Sequence, residues 1–422
     1  MTAISACRGC GSPRLEPVLS LGEMPLANAL VDSADDPPEH RYPLDLVRCP
    51  TCRLVQITET VPPELLFREY SYFTSFSDTF VAHAKTYASQ MRERLALDSG
   101  SLVVEAASND GYLLQFFAAA GVPVLGVDPA RNVAAAAADR GIETIPEFLD
   151  PELARRIVAS RGRAADLVIA NNVLAHVADV HGFVEALAIL AGESGVVSIE
   201  APYVCDLVDR LEFDTIYHEH LCYFSLSSLR ALLATHGLDV VDVDRLPVHG
   251  GSLRILASAS GGAAAADVAA MLEHEERWGI GDAARFAEFA RATDEARAAI
   301  AALVRDLVAS GERVAGYGAA AKAVVLLHAC GLGRSEIEYV VDRNPYKQGK
   351  LLPGVRIAVL PPEQLLESPP GYVLLFVWNI ADEVIEQQRA YVEGGGRFVV
   401  PVPRPTVVDR SGTGLQLGGH GR

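Results

Sequence analysis

The sequence is short of positive charge and of long apolar runs. Its 422 residues carry 36 Lys and Arg against 54 Asp and Glu, a formal net charge of -18. Binding to a nucleic-acid backbone needs a basic face, so this balance excludes that class but still allows a nucleotide in a local basic pocket. The longest apolar run, YVLLFVW, is strand-sized and far below the ~20 residues that span a bilayer. We therefore expect no nucleic-acid partner and no membrane partner.

The N-terminal sequence MTAISACRGCG lacks a basic segment followed by an apolar one, which argues against a secretory signal and favours a cytoplasmic protein. Hydrophobic residues make up 50% of the chain and charged residues 21%, a composition typical of globular proteins. At usual domain sizes this length predicts two to four domains.

Four of the seven cysteines form two C-x-x-C pairs, CRGC and CPTC. In a compartment that keeps thiols reduced, such pairs indicate metal ligands more than disulfides, although a redox dithiol or free thiols are the alternatives. Two pairs on tight turns complete a tetrahedral thiolate site and leave no position open for water. The sequence therefore predicts a structural Zn²⁺ bound by Cys7, Cys10, Cys49 and Cys52.

Strand and helix patterns alternate in two separate parts of the chain, which predicts an α/β fold with parallel, doubly wound sheets. In the first part, buried strands such as SLVVEAA and ADLVIANNVL alternate with helices. The second part starts at ERVAGYGAAAKA. The expected segments are a zinc-binding module at 1–62, a helical and aromatic segment at 63–97, a central Rossmann-like domain at 98–260, a helical connector at 261–310, a second Rossmann-like α/β domain at 311–404, and a Gly-rich, partly disordered tail at 405–422.

Acidic residues follow the first two strands of the central domain. Glu105 lies at the end of the first strand, and Asp128 ends the second strand in GVDP, where a carboxylate can accept hydrogen bonds from ribose hydroxyls. The loop EAASNDGYLL is not a G-x-G-x-x-G dinucleotide fingerprint. This combination suits a nucleoside with free hydroxyls and no phosphate, and S-adenosylmethionine (SAM) is such a ligand; an ordinary acidic turn is the alternative.

The stretch YHEHLCYFS, residues 217–225, concentrates groups that exchange protons near neutral pH. His218 and His220 are two apart, whereas the H-E-x-x-H zinc motif spaces its histidines one helical turn apart, so a metal site is disfavoured. A histidine oriented by a carboxylate, beside a tyrosine that polarises a carbonyl, is suited to acid–base chemistry. Further on, VHGGSLR offers a Gly-Gly turn followed by the cation Arg254.

Together, the two cysteine pairs and the segments PLANAL, YSYFTSFSD, EAASNDGYLL, GVDP, NNVLAHV, YHEHLCYFS, HGGSLR, GYGAAAKA, VVDRNPYKQGKLLPG and WNIADEV resemble the nucleotide-sugar C-methyltransferase family, to about residue 404. These enzymes make branched deoxysugars for bacterial natural products, including antibiotics. The resemblance implies a zinc module, a central SAM methyltransferase sheet and a C-terminal domain that holds the nucleotide-sugar. It also implies methyl transfer to a ring carbon, usually C3, beside the keto group of a dTDP-4-keto-deoxysugar.

The resemblance carries roles onto individual residues of this sequence. His220 corresponds to the base, with Glu219 and Tyr217 orienting it or the substrate; His176 and Tyr72 are expected to stabilise the oxyanion. For the cofactor the candidates are Glu105, Ala107, Asn109, Asp128 and Asn171, and for the sugar nucleotide Lys322, Arg343, Asn379, Arg254 and Tyr317. Ala107 stands where the family has the first glycine of E-x-G-S-N-D-G, which matters if that position needs a positive φ.

Several alternatives stay open at this level. Within the enzyme class they are methylation at C5, or of a sugar bearing an amino group at C3. Outside it they are a non-catalytic zinc and nucleotide-binding scaffold, and an NAD-dependent sugar dehydrogenase that uses GYGAAAKA as its glycine-rich loop. We expect a monomer or a weak oligomer.

Overall fold

The structure is a computed structural model that describes residues 2–67, 73–261 and 264–410. The N-terminal module is built on an antiparallel hairpin, and the 38-residue connection between the two cysteine pairs forms that hairpin. Its elements are β1 (Thr2–Ala3), β2 (Glu16–Pro25), β3 (Arg41–Arg48), β4 (Val55–Ile57), β5 (Glu59–Thr60) and α1 (Pro63–Phe67). Strands β2, β3 and β4 form one sheet, and β1 pairs with β5.

Helix α2 (Asp78–Arg94) follows a 3₁₀ turn, Thr74–Phe76, and leads into the central domain. The hydroxyl of Ser77 caps the helix by accepting a hydrogen bond from the backbone N–H of Phe80. One face of α2 is buried through Ala84, Tyr87, Ala88 and Met91, which is the helical spacing that the sequence predicted.

The central domain has a seven-stranded sheet flanked by helices. Its strands are β6 (Val103–Ala106), β7 (Val124–Val127), β8 (Thr144–Ile145), β9 (Leu167–Asn171), β10 (Val196–Pro202), β12 (Asp239–Leu246) and β13 (Ser252–Ser258), in the order β12-β13-β10-β9-β6-β7-β8. Five strands are parallel, whereas β13 and β12 are antiparallel additions at one edge. The helices are α3 (Leu114–Ala119), α4 (Arg131–Asp139), α5 (Pro151–Arg161), α6 (Val180–Ala191), α7 (Val204–Asp209) and α8 (Leu226–Ala234).

A short strand of the central domain, β11 (Cys222–Tyr223), leaves that domain and completes the N-terminal sheet. Its partner is β4, with Cys222 opposite Gln56 and Tyr223 opposite Val55. The segment just before β11 is YHEHL, so the histidine-rich stretch lies where the zinc module meets the central domain.

The connector is two helices, α9 (Ala266–Trp278) and α10 (Ala283–Ala309). Asp282 caps α10, and the helix buries Phe286, Phe289, Ile300 and Val304 in the common core. The connector is therefore packed structure rather than an exposed linker.

The C-terminal domain is a second α/β unit with strand order β16-β15-β14-β17-β18-β19. Its elements are β14 (Val314–Tyr317), α11 (Ala321–Cys330), β15 (Val340–Val341), β16 (Val359–Leu360), α12 (Gln364–Glu367), β17 (Tyr372–Leu375), α13 (Ala381–Gln387), α14 (Arg389–Glu393), β18 (Arg397–Val400) and β19 (Thr406–Val408). Strand β14 turns sharply at Gly318 (φ +93°), where an added Cβ would lie 2.6 Å from the side chain of Val377.

The first part of the expected tail is ordered, because β19 pairs antiparallel with β18. Residues 411–422, the rest of that tail, lie outside the described residues. One apolar core cluster includes buried residues of all three parts, such as Leu44, Ile199 and Val324, so the parts pack against one another. Within the described ranges, no helix has both the length and the hydropathy needed to cross a membrane.

Candidate active site

The four thiolates predicted to bind metal come together in the structure. The ligand atoms of Cys7, Cys10, Cys49 and Cys52 all lie within 4.8 Å of one another. The Sγ atoms of Cys7 and Cys52 are 3.5 Å apart, as are those of Cys10 and Cys49. Sulfurs of a tetrahedral zinc site with ~2.3 Å bonds lie roughly 3.8 Å apart, so the cluster fits Zn²⁺.

The zinc cluster is connected to the histidine-rich stretch through Gln56. Its amide Nε2 donates a hydrogen bond to Sγ of Cys7 over 3.2 Å, and its strand position lies opposite Cys222 of β11. A metal at this site therefore supports the sheet that the YHEHL segment leads into, which is a structural role.

His220 is held by hydrogen bonds at both ring nitrogens. Its Nδ1 lies 2.9 Å from the backbone carbonyl oxygen of Thr215, and its Nε2 lies 2.9 Å from the hydroxyl of Tyr217. A carbonyl oxygen can only accept, so Nδ1 carries the hydrogen of the neutral ring. Nε2 then presents a lone pair and accepts from the hydroxyl of Tyr217, which is the protonation state a general base requires.

Glu219 lies beside this base and is 3% exposed. Burial raises the pKa of Glu219 to about 7, and the hydrogen bond from Asn28 and the charge of Lys347 act against that rise. Asn28 Nδ2 donates to Oε1 over 2.7 Å, whereas Oε2 is buried with no hydrogen-bond partner among the described residues. Glu219 thus has an acceptor oxygen available to a ligand.

His176 follows β9 on a 3₁₀ turn, and its ring centroid is 4.8 Å from that of His220. Its Nδ1 donates to the backbone carbonyl of Glu219 over 2.7 Å, and burial lowers the pKa of His176. A neutral ring with its hydrogen on Nδ1 has none on Nε2 to give to an oxyanion. The oxyanion role expected for His176 needs the imidazolium; the backbone hydrogen bonds of Glu219 and Asn172 act against the lowering of its pKa by burial, and the role stays a prediction. Tyr72, the other residue expected there, lies outside the described residues.

The residues expected to bind the cofactor gather at the carboxyl edge of the central sheet. Asp128, 6% exposed, accepts hydrogen bonds from the backbone N–H groups of Asn109 and Ala130, each over 2.9 Å. Burial raises the pKa of Asp128 to about 6 and that of Glu105 well above its usual value. Glu105 Oε2 and Asn171 Oδ1 are buried without hydrogen-bond partners in the described part of the chain, which fits a polar ligand at this edge.

Ala107 adopts φ +55° and the neighbouring Asn109 adopts φ +49°. The position where the family has glycine therefore does require a left-handed backbone, at a cost to alanine of about 1–2 kcal/mol. The turn is nevertheless fixed, because the N–H of Ala107 donates to the carbonyl of Val127 over 2.7 Å.

The segment that precedes α2 covers this edge. The N–H of Thr74 donates to Oδ1 of Asn109 over 3.1 Å, and the hydroxyl of Ser75 donates to Asp110 over 2.5 Å. Phe73 stacks on Tyr346 of the C-terminal domain, with ring centroids 5.3 Å apart. The aromatic segment thereby joins the cofactor loop to the C-terminal domain.

Two of the five residues expected to bind the sugar nucleotide, Lys322 and Asn379, are in contact, and Asn379 lines a cavity between helix α2 and the C-terminal domain. Lys322 Nζ donates to Oδ1 of Asn379 and lies 4.4 Å from the ring centroid of Trp378. The cavity, about 330 Å³, is lined by Thr79, Trp378, Asn379, Ile380, Ala381, Asp382 and Glu383. Arg343 is half exposed and lies 3.9 Å from Glu383, one of those residues.

The remaining two candidates, Arg254 and Tyr317, make their contacts away from this cavity. Arg254 lies opposite Glu200 in the β10–β13 pair, with its guanidinium bonded to Glu200 over 2.6 Å and to Gln90 over 3.0 Å. It is 4% exposed, so it neutralises a buried acid instead of offering a cation to a ligand. Tyr317 is 3% exposed and packs edge-on against Phe398 in the core of the C-terminal sheet.

The structure adds residues that were not singled out from the sequence. Asn28 lies within the PLANAL segment and Trp378 within WNIADEV, so both segments pointed to them without giving a role. Lys347 is buried and donates to the carbonyl of Ala319 over 2.8 Å, with an electrostatic effect on Glu219. Thr215 contributes a backbone carbonyl, for which no side-chain pattern exists.

Three family models match consecutive parts of the chain: "Putative zinc binding domain" at residues 7–67, "Methyltransferase domain" at 80–243, and "C-methyltransferase C-terminal domain" at 247–403. The chain is also 43% identical over 417 residues to C-methyltransferase NovU of Streptomyces niveus, covering 97% of this chain and 98% of that protein. The chain therefore belongs to the C-methyltransferase family. It is a SAM-dependent enzyme with zinc bound at its cysteine cluster.

Solved structures that resemble part of the chain include magnesium protoporphyrin IX methyltransferase ChlM of Synechocystis PCC 6803 with bound SAM. It has 17% identity and a TM-score of 0.31, covering 42% of this chain and 77% of that one. A SAM-dependent methyltransferase of Thermotoga maritima, described as a possible histamine N-methyltransferase, has 13% identity and a TM-score of 0.32, with coverage of 42% and 90%.

Proposed function

We propose that this enzyme methylates C3 of a dTDP-4-keto-deoxysugar, in the biosynthesis of a branched deoxysugar for a natural product such as an antibiotic. The observation that carries the proposal is the geometry of His220, whose Nδ1 lies 2.9 Å from the carbonyl oxygen of Thr215 and whose Nε2 lies 2.9 Å from the hydroxyl of Tyr217, so that the neutral ring accepts at Nε2. Methylation at oxygen or nitrogen does not require removal of a carbon-bound proton. A carbon beside a ketone does, and it also requires a donor for the enolate oxygen.

His220 takes the C3 proton at Nε2. Before substrate binds, the hydroxyl of Tyr217 donates a hydrogen bond to the lone pair of Nε2. The substrate must displace this hydroxyl before Nε2 can take the C3 proton. The displaced O–H can then donate to the substrate's C4 oxygen, where negative charge develops. Throughout, Nδ1–H stays on the carbonyl of Thr215, which orients the imidazolium. Bound SAM supplies the electrophilic methyl group.

Glu219 contributes to the site through its backbone carbonyl and through its side-chain carboxyl. Its backbone carbonyl orients His176, and its buried Oε2 accepts from a sugar hydroxyl. Burial raises the pKa of Glu219 to about 7, so near neutral pH the carboxyl can either accept or donate.

The cofactor lies along the carboxyl edge of the central sheet. Asp128 accepts from the ribose hydroxyls with lone pairs that its backbone partners leave available, and Ala107 and Asn109 shape the loop beside it. Glu105 and Asn171 contribute the buried oxygens that have no other partner among the described residues.

The nucleotide part of the substrate lies at the cavity between helix α2 and the C-terminal domain. Lys322 and Arg343 compensate the negative charge of its diphosphate, and Asn379 provides a side-chain amide beside Lys322. A formal net charge of -18 makes such local cations necessary for binding an anionic substrate.

The alternatives differ in measurable ways. Methylation at C5 would remove a different ring proton, and a 3-amino-4-keto sugar would be the preferred substrate if Glu219 paired with an ammonium group. A non-catalytic scaffold would not transfer methyl at all. The cytoplasmic location and a monomer or weak oligomer stay predictions.

The proposal is tested by mass spectrometry of dTDP-4-keto-deoxysugars, deuterated at C3 or at C5, after incubation with enzyme and SAM. We expect a gain of one methyl group with loss of the C3 deuteron and retention of the C5 deuteron. Loss of the C5 deuteron would assign C5 methylation instead, and methyl gain with both deuterons retained would contradict carbon methylation at either position.

A further inference from the structure

The 3₁₀ turn Phe213–Thr215 lies between the base and the C-terminal domain. On one side, the carbonyl of Thr215 accepts from Nδ1 of His220. On the other, the adjacent Asp214 accepts a hydrogen bond from the indole Nε1 of Trp378 over 2.7 Å. Two hydrogen bonds and one peptide unit therefore connect a tryptophan of the C-terminal domain to the ring of the base.

The turn also makes hydrogen bonds within itself, and it packs against helix α11. Both the backbone N–H and the hydroxyl of Thr215 donate to the carbonyl of Glu212, over 3.0 and 2.7 Å. Asp214 is 0% exposed, and its Oδ1 has no hydrogen-bond partner among the described residues, so the bond from Trp378 to Oδ2 is the side-chain hydrogen bond that orients its carboxylate. Burial raises the pKa of Asp214 to about 6, and the neighbouring Lys322 acts against that rise.

The direction of the Thr215 carbonyl decides which nitrogen of His220 carries the hydrogen. If the carbonyl turns away, Nδ1 loses its acceptor and the ring can place its hydrogen on Nε2. That tautomer donates to Tyr217 and has no lone pair at Nε2 to receive a proton from carbon. The position of the turn is therefore a condition for base catalysis.

We infer that Trp378 and Asp214 are positioning residues for the base: Trp378 holds Asp214, and the turn that Asp214 anchors keeps the Thr215 carbonyl on Nδ1 of His220. The inference rests on the proposed role of His220. In this arrangement the C-terminal domain supports proton abstraction as well as binding the nucleotide. The residue that provides this support, Trp378, lines the cavity.

The test replaces the indole donor and keeps the aromatic ring, as Trp378→Phe. The chain offers a matched control, because its other tryptophan, the partly buried Trp278 at the end of α9, donates its indole N–H to Asp209 over 2.9 Å. Trp278→Phe removes the same kind of bond away from the turn. Asp214→Asn is the conservative variant, since its amide oxygen can still accept from Trp378.

The readouts are solvent deuterium exchange into the acidic carbon of the substrate with S-adenosylhomocysteine (SAH) bound, kcat, and KM for the sugar, each across pH. For Trp378→Phe we expect exchange and kcat to fall roughly 10- to 100-fold, the scale of a misplaced catalytic group, with KM little changed. The acid limb of its pH profile should move as well. Trp278→Phe should behave as wild type, and Asp214→Asn should retain most of the exchange.

Wild-type exchange in Trp378→Phe would overturn the inference. So would a loss that appears in KM alone, which would mean that Trp378 only contacts substrate, and so would equal losses in Asp214→Asn and Trp378→Phe. Failure of the proposed function is distinguishable, because it would appear as no methyl gain and no C3 exchange in the wild-type enzyme itself, and wild-type exchange in His220→Ala would remove the base on which the inference rests.

Discussion

The hydroxyl oxygen of Tyr217 lies 2.9 Å from Nε2 of His220, on the nitrogen that carries no hydrogen. The tyrosine hydroxyl therefore donates to the same Nε2 lone pair that is proposed to take the proton from carbon. Two properties follow from this one contact. The base is held in its accepting tautomer before substrate arrives, and the hydroxyl that leaves it becomes a donor for the enolate oxygen.

Asp128 should determine affinity for SAM. Asp128→Ala removes the acceptor for ribose hydroxyls, and loss of hydrogen bonds to a charged group should weaken binding by roughly 1.5–3 kcal/mol in calorimetry. Asp128→Asn, which keeps an acceptor for one of the two backbone N–H groups that Asp128 binds, should show a smaller loss. Asp139→Ala, at the exposed end of α4, serves as the control. Unchanged affinity in Asp128→Ala would place the cofactor elsewhere.

Lys322 should act on the sugar substrate and not on the cofactor. Lys322→Ala removes the amino group that contacts Asn379 and Trp378 at the wall of the cavity, so KM for the dTDP-sugar should rise roughly 10- to 100-fold, as expected for a lost bond to a charged group, while SAM binding is retained. Lys350→Ala, which removes a partly exposed lysine paired with Asp32, is the matched control and should leave both unchanged. An effect of Lys322→Ala on SAM instead would mean that the two ligand sites are assigned wrongly.

Glu219 should make stability depend on pH. Burial raises its pKa from 4.5 to about 7, so between these values the folded state binds a proton that the unfolded state does not. This group therefore lowers the free energy of unfolding as pH rises through that window, by up to about 3 kcal/mol. Denaturant unfolding at about pH 5 and about pH 8 should show a flatter dependence in Glu219→Gln than in wild type.

The control for that measurement is Glu295→Gln, which removes a carboxylate on the exposed face of α10. It should keep the wild-type pH dependence. Equal slopes in wild type and Glu219→Gln would show that the Glu219 carboxyl is not the group responsible.

Zinc should be structural. Metal analysis of the purified protein should give about one zinc per chain, and Cys49→Ser should lose metal and stability together because it removes one of four thiolates. Cys330→Ser changes a buried thiol outside the cluster and should keep its zinc. A fully folded wild-type protein without metal would refute the assignment.

Local patterns in the sequence were sufficient to predict the α/β architecture and to indicate which polar residues lie at strand ends. The buried runs that became β6, β9 and β10, the two cysteine pairs and the acid at Asp128 each have a direct signature, since burial period and ligand spacing are local properties. The glycine that Ala107 replaces raised the question of a positive φ at this position, and the structure answers it with φ +55°.

Long-range register accounts for what the sequence did not reveal. Arg254 looked like a cation available to the substrate, but its pairing opposite Glu200 depends on an antiparallel strand added at the sheet edge. Thr215 acts through a backbone carbonyl, which any residue could supply. The ordered strand β19 lies in a segment whose composition favoured disorder, and it is fixed by pairing with β18 rather than by local propensity.

The central claim, that His220 is the base, is tested most directly by solvent exchange. The enzyme is incubated with SAH and a dTDP-4-keto-deoxysugar in deuterium oxide, and deuterium at C3 is followed by mass spectrometry for wild type, His220→Ala and His220→Asn. The account predicts exchange in wild type and a loss of ~10²–10⁴ in both variants, with SAM and sugar still bound. Exchange at the wild-type rate in His220→Ala would contradict it and would direct attention to Glu219 and Tyr72.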